Sequence, residues 1–218
     1  MSEQYDEHEQ SERVKQWLLN NGSNLLTGIL LAVSAVFGWQ WWQNHQVNKT
    51  QEAGNQYRTF LSAVEKPDLA KAVALGDGIA KNYAESDYAF LAALRLAKLQ
   101  QEQGKSADAL AMLDKAEKLA LNEQSRELAQ IRRLQMLISQ GKMQEAGKLA
   151  ATIKPVAYPG SLADIRGDLA MAEGKREQAA DYYREALLKL GPDTGSRVLI
   201  ELKLAEAGGT AEKAMEIR

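Results

Sequence analysis

The chain has 218 residues, room for one ordinary domain or two small ones. Its 27 basic and 29 acidic residues nearly cancel, leaving a net charge of −2 and a pI near 5.8, which argues against a basic face for nucleic acid. Cysteine is absent, so disulfides, thiolate metal sites and a thiol nucleophile are excluded, while the compartment stays open.

The chain opens with an acidic segment carrying Glu3, Asp6, Glu7, Glu9 and Glu12. Within it "ERVKQWLLNNG" sets Val14, Trp17 and Leu18 on one side of a short helix that Asn20-Asn21-Gly22 is expected to end. Two readings of that helix stand side by side, a foot on a membrane surface and a frayed helix start.

"SNLLTGILLAVSAVFGWQWW", residues 23–42, is the most apolar part of a chain whose mean hydropathy is −0.40. No formal charge stands between Lys15 and Lys49. Residues 25–42 as a helix extend about 27 Å, close to the hydrocarbon thickness of a bilayer. Trp39, Trp41 and Trp42 crowd one end and Trp17 precedes the other, where interfacial indoles are expected. A buried core helix rarely runs so long without charge. A cleaved signal at Val33-Ser34-Ala35 conflicts with the acidic start and with the apolar run continuing to Trp42. The expectation is an uncleaved transmembrane anchor over residues 23–43, in contact with the bilayer. Arg13 and Lys15 before the span, against Lys49 and then Arg58 after it, lean slightly towards an inside N-terminus but do not fix the topology. Gly28 with Ala32, and Ser34 with Gly38, would let another membrane helix approach closely, although such pairs also arise by chance.

From Gln46 onward every pattern is helical. Val47, Tyr57, Leu61 and Val64 form one stripe closed by Lys66-Pro67, and the next helix runs over residues 69–83. Then "GKSADA" at Gly104 is answered by "GKMQEA" at Gly141, "GKREQA" at Gly174 and a weaker "GTAEKA" at Gly209. Gly thus precedes Ala by five residues four times, giving Ala109, Ala146, Ala179 and Ala214, at intervals of 37, 33 and 35 residues. Gly ends one helix sharply in a left-handed conformation, and Ala lets the paired helix cross at close range. Stacking such pairs buries a continuous core that no single pair can bury. The fold class is therefore all-α, an N-terminal transmembrane helix followed by an α-solenoid of helical hairpins. The chain divides into residues 1–22, 23–43 and 44–218.

These hairpins resemble tetratricopeptide repeats in degenerate form. Ala93, Gln130 and Ala163 replace the family's first-helix Trp, its mid-helix Gly survives only as Gly167, and its closing Pro only as Pro192. "VKQWLLNNGSNLLTGILLAVSAVFGWQWWQNHQ", residues 14–46, further resembles the N-terminal signature of the YfgM-like family, with Trp17-Leu18 where an aromatic pair usually stands. That resemblance implies an ancillary subunit of the bacterial SecYEG translocon. It implies one span of the inner membrane, a cytoplasmic N-terminus and a periplasmic repeat domain. The implied partners are the translocon and a membrane-anchored periplasmic chaperone of the prolyl-isomerase type, acting on emerging proteins. A membrane-tethered regulator that sequesters a signalling or stress-response protein is the alternative.

By the tetratricopeptide register, the first helix of each pair lines a concave wall. Leu94, Lys98 and Gln101 would stand there from one helix, Ile131, Gln135 and Ile138 from the next, and Asp164, Asp168 and Met171 from the third. Their aliphatic and amide mixture suits a protein partner or an extended apolar segment, although Leu94, Ile131 and Ile138 equally fit the core. Leu94, Ile131 and Asp164 do not match the side chains of a carboxylate clamp. His8 and His45 lie far apart, without metal-ligand spacing. Asp164, Arg166 and Asp168 read as a solvated face, and Gly76-Asp77-Gly78 as a weak spot in a helix. No catalytic residue, cofactor, metal, nucleic acid or small-molecule substrate is indicated, and the expected role is non-enzymatic.

Overall fold

The computed structural model describes residues 3–66, 68–190 and 195–210, with side chains from residue 11 onward except Leu25. Among them there are nine helices and no strand: α1 (Glu3–Glu65), α2 (Leu69–Asn82), α3 (Asp87–Glu102), α4 (Ser106–Leu119), α5 (Glu123–Ser139), α6 (Met143–Thr152), α7 (Pro159–Ala172), α8 (Arg176–Lys189) and α9 (Arg197–Glu206). Two compact units meet in sequence between Gln51 and Glu52.

In the first unit the stop expected at Asn20-Asn21-Gly22 is not made. The backbone stays helical there, and the Asn21 Nδ2 amide donates to the Trp17 carbonyl of its own helix at 3.0 Å instead of capping an end. No single helix among the described residues is long and apolar enough to cross a membrane. Ser11–Asn24 and Leu26–Glu65 meet that condition only together, as a pair bent by 48°, so the break falls just beyond the expected asparagines.

The second unit is a run of paired helices. Three helix reversals in it share one turn. Gly104, Gly141 and Gly174 adopt φ of +73°, +71° and +76°, a region closed to most side chains. At the first of them the Gly104 amide donates to the Gln101 carbonyl at 2.9 Å, and the Lys105 amide to the Gln100 carbonyl at 2.8 Å. This double closure satisfies two carbonyls that the end of α3 would otherwise leave open. The same bonds recur at Gly141 and Gly174, and in each case the Lys that follows is already the residue preceding the next helix.

The fourth turn departs from the expected register. Gly208, not Gly209, takes the left-handed conformation, at φ +86°, because α9 ends one residue earlier than the sequence match implied. Gly209 is constrained for another reason: a Cβ there would collide with the Leu204 side chain and stand 3.2 Å from the Arg184 guanidinium. Ala214 lies outside the described residues.

Ala109, Ala146 and Ala179 are wholly buried where the paired helices cross. The core passes from pair to pair. Phe60 and Ala63 of α1 pack with Ala72 and Ile79 of α2 and Leu96 and Leu99 of α3. Ala97 of α3, Leu113 of α4 and Met136 of α5 form the next link, followed by a cluster joining α5, α6 and α7 and another joining α7, α8 and α9. Gly76 is a close-packing position in an unbroken α2, correcting its reading as a weak spot. A Cβ there would come within 2.5 Å of Leu96 Cδ1 and 3.4 Å of the Phe60 ring.

Candidate partner-binding groove

α3 and α5 together frame a groove of about 670 Å³. Leu91, the adjacent pair Leu94 and Arg95, then Lys98 and Gln101 follow at steps of three or four residues and so share one face of α3. Leu128, Arg132, Gln135 and Ser139 do the same on α5, and Ala97, Leu113 and Met136 also line the groove while packing together in the core. Tyr57 of α1 completes the lining, its ring 5.4 Å from that of Tyr88, and burial holds its hydroxyl above the usual tyrosine range.

Of the expected concave residues, Leu94, Lys98, Gln101 and Gln135 meet in this groove. Ile131 does not. It is 4% exposed, inside the cluster joining α5, α6 and α7, and Ile138 packs half-buried against the same cluster. The α5 positions that line the groove are its neighbours Leu128, Arg132 and Gln135, since one residue turns a helix face by about 100°. Leu91, Arg95, Leu128 and Arg132 were absent from the expected lining, although Leu91 stands three residues from Leu94, Arg95 three from Lys98, Arg132 three from Gln135 and Leu128 four from Arg132, a usable signal.

The α7 residues stand elsewhere. Lys203 of α9 donates from Nζ to Asp164 Oδ1 at 2.9 Å and to the Asp168 carboxylate at 2.8 Å, and Tyr183 Oη donates to Asp168 Oδ1 at 2.9 Å. Burial pushes the Asp164 carboxyl up, against the hydrogen bond from Lys203, while the two carboxylates outweigh desolvation and raise the Lys203 ammonium. Arg166 donates to the carbonyls of Ala150 at 2.9 Å and Ile153 at 3.3 Å, at the end of α6. These three residues are therefore inter-helix ties and not a solvated face, a contact across 39 residues that local spacing does not reveal. Met171 packs half-buried against the core of α7, α8 and α9.

Glu127 of α5 was not singled out by its sequence. It is 2% exposed, and its carboxylate accepts from the backbone amides of Val156, Ala157 and Tyr158 at 3.0, 2.6 and 3.3 Å. Three convergent amides neutralise a charge that would otherwise be costly to bury. Among the described residues no group of three or more His, Asp or Glu side chains is placed to hold a metal ion.

The apolar run of α1 is exposed on all sides: Leu26, Ile29, Leu30, Val33, Val36 and Phe37 are each at least 45% accessible. Trp17, Trp39, Trp41 and Trp42 are exposed as well, with the Trp39 and Trp42 rings 5.4 Å apart and Trp41 stacked on His45 at 5.6 Å.

The family model of the tetratricopeptide repeat-like domain matches residues 15–209. A protein of Escherichia coli (strain K12) named "Ancillary SecYEG translocon subunit" is 28% identical over 201 residues, 91% of this chain and 95% of its own length. A Haemophilus influenzae protein of the same name is 25% identical, over 85% of this chain and 91% of its own. Among solved structures, the nearly identical TPR-like repeats of a Podosopora anserina kinesin light chain superpose with a TM-score of 0.52 at 18% identity. That match covers 77% of this chain and 91% of the other and bears on the fold alone.

Proposed function

Since the chain belongs to the tetratricopeptide repeat-like domain family, we propose that it is a non-enzymatic interaction protein, an ancillary subunit of the SecYEG translocon held at the bacterial inner membrane. Residues 1–22 lie in the cytoplasm, residues 23–43 cross the bilayer and residues 44–218 form the periplasmic repeat domain. There it works beside a membrane-anchored chaperone of the prolyl-isomerase type on proteins leaving the channel, meeting partners through the groove of α3 and α5.

The observation that carries the reading is similarity along nearly the whole chain to relatives bearing the translocon-subunit name, in a match that includes the apolar run. The exposure of that run supports an anchor, since side chains apolar on every face of a helix need an apolar surround. Trp17 and the Trp39, Trp41, Trp42 cluster then sit at the two interfaces. No single helix among the described residues meets the length and hydropathy of a span; Ser11–Asn24 and Leu26–Glu65 meet them only together. The chaperone part and the orientation rest on the resemblance of residues 14–46.

A tether works by effective concentration: it keeps the repeat domain near the channel exit without requiring tight binding. Full-length chain and a chain lacking residues 1–45 are each to be captured from detergent-solubilised membranes. The channel subunits are expected with the first and not with the second; equal recovery would refute the tethering role. Recovery of a signalling protein in place of channel and chaperone would favour the regulator.

A further inference from the structure

The charge of the α3–α5 groove is one-sided. Arg95, Lys98 and Arg132 line it, and no Asp or Glu does, in a chain whose net charge is −2. Lys98 has an acidic neighbour, Glu102, at 3.7 Å on its own helix. Among the described residues neither Arg95 nor Arg132 has a carboxylate partner. Arg132 instead donates to the Gln135 amide oxygen at 3.3 Å. Several other cations of the stack do meet carboxylates: Arg133 meets Asp114 and Glu117, Lys115 meets Asp77, and Lys203 meets Asp164 and Asp168. Alongside the charges, Leu91 is 40% exposed and Leu94 and Leu128 are half-buried, so the groove offers apolar contact and positive charge together.

We infer that this groove binds an extended segment of a partner protein in which aliphatic side chains alternate with Asp or Glu. The inference deepens the proposed partner-binding role and rests on it. The aliphatic side chains would pack over Leu91, Leu94 and Leu128, while the acidic ones reach Arg95, Lys98 and Arg132. The guanidinium groups present several donors in a fixed fork that fits a carboxylate. Gln101 and Gln135 supply both donors and acceptors for the segment's backbone. Charge of this kind selects among partners and speeds their encounter more than it adds affinity.

The test uses purified full-length chain in detergent and three fluorescein-labelled 12-residue peptides. Each carries the same four leucines in a Ser/Gly background, with four intervening positions filled by Glu, Gln or Lys. The Glu peptide is expected to bind about tenfold more tightly than the Lys peptide, with Gln between them, and its advantage to shrink as salt rises. In the Arg95→Glu/Arg132→Glu chain the order should reverse. Both residues are exposed, so the fold is expected to persist; Lys98→Glu, also exposed, is a second variant should the double one fail to fold. Equal affinity for the three peptides, no binding of any of them, or an order unmoved by charge reversal would overturn the inference. The channel is absent from this assay. A failure here therefore leaves co-purification with the channel standing, and the loss of co-purification would leave the peptide result standing.

Discussion

At the scale of single residues, glycine serves two different ends in this chain, and substitution separates them. Gly167 of α7 faces the Tyr183 ring of α8, and an added Cβ would lie 2.6 Å from Cδ1 and 2.9 Å from Cζ of a side chain that is 2% exposed. A buried ring tied by its hydroxyl to Asp168 has little room to retreat. Gly167→Ala should therefore lower stability by about 1–3 kcal/mol through overpacking. Gly147 sits in α6, where an added Cβ would meet nothing within 4 Å, so Gly147→Ala should stabilise by about 0.5–1 kcal/mol through helix propensity alone. Urea midpoints of the two variants should move in opposite directions. A shared direction would mean that the α7–α8 contact is looser than its geometry implies.

At the scale of elements, the junction of α5, α6 and α7 depends on polar ties as much as on apolar burial. Glu127 gathers the amides before α7, and Arg166 closes the end of α6. Glu127→Gln replaces a charged acceptor by a neutral amide that presents one acceptor oxygen where the carboxylate offered two. The expected cost is about 2 kcal/mol, appearing as faster hydrogen exchange at Val156, Ala157 and Tyr158 with little change in α2 and α3. Unaltered exchange at those three amides would deny the carboxylate its holding role. This junction also marks the limit of what sequence reveals. The hairpins were legible because the turn glycine and the buried alanine lie only five residues apart, and α2 ends within one residue of its expected bound. The fourth turn slipped by one because Gly208 and Gly209 are adjacent and either fits the local pattern. Glu127 and Lys203 find their partners 29 to 39 residues away, in other pairs, and nothing in their own neighbourhood announces it. The groove was half legible: Leu94, Lys98 and Gln101 of α3 all line it, whereas on α5 the choice between Ile131 and Arg132 depends on how far the helix is rotated against α6 and α7.

For the whole molecule, two units of unlike chemistry share one chain: a helix exposing large apolar side chains, and a stack whose apolar side chains are mostly enclosed. The first is unstable in water without a partner or a bilayer, and the second has the packed core of a soluble domain. Their union suits the role proposed above, a repeat domain held at a membrane. The claim on which this account turns is that the apolar run crosses the inner membrane and leaves the repeats outside the cytoplasm. Protease added to intact spheroplasts, with the full-length chain detected through a tag after Arg218, tests it most directly. The account predicts that the tag is lost while a cytoplasmic control protein survives. A tag that persists until the membrane is opened would contradict it.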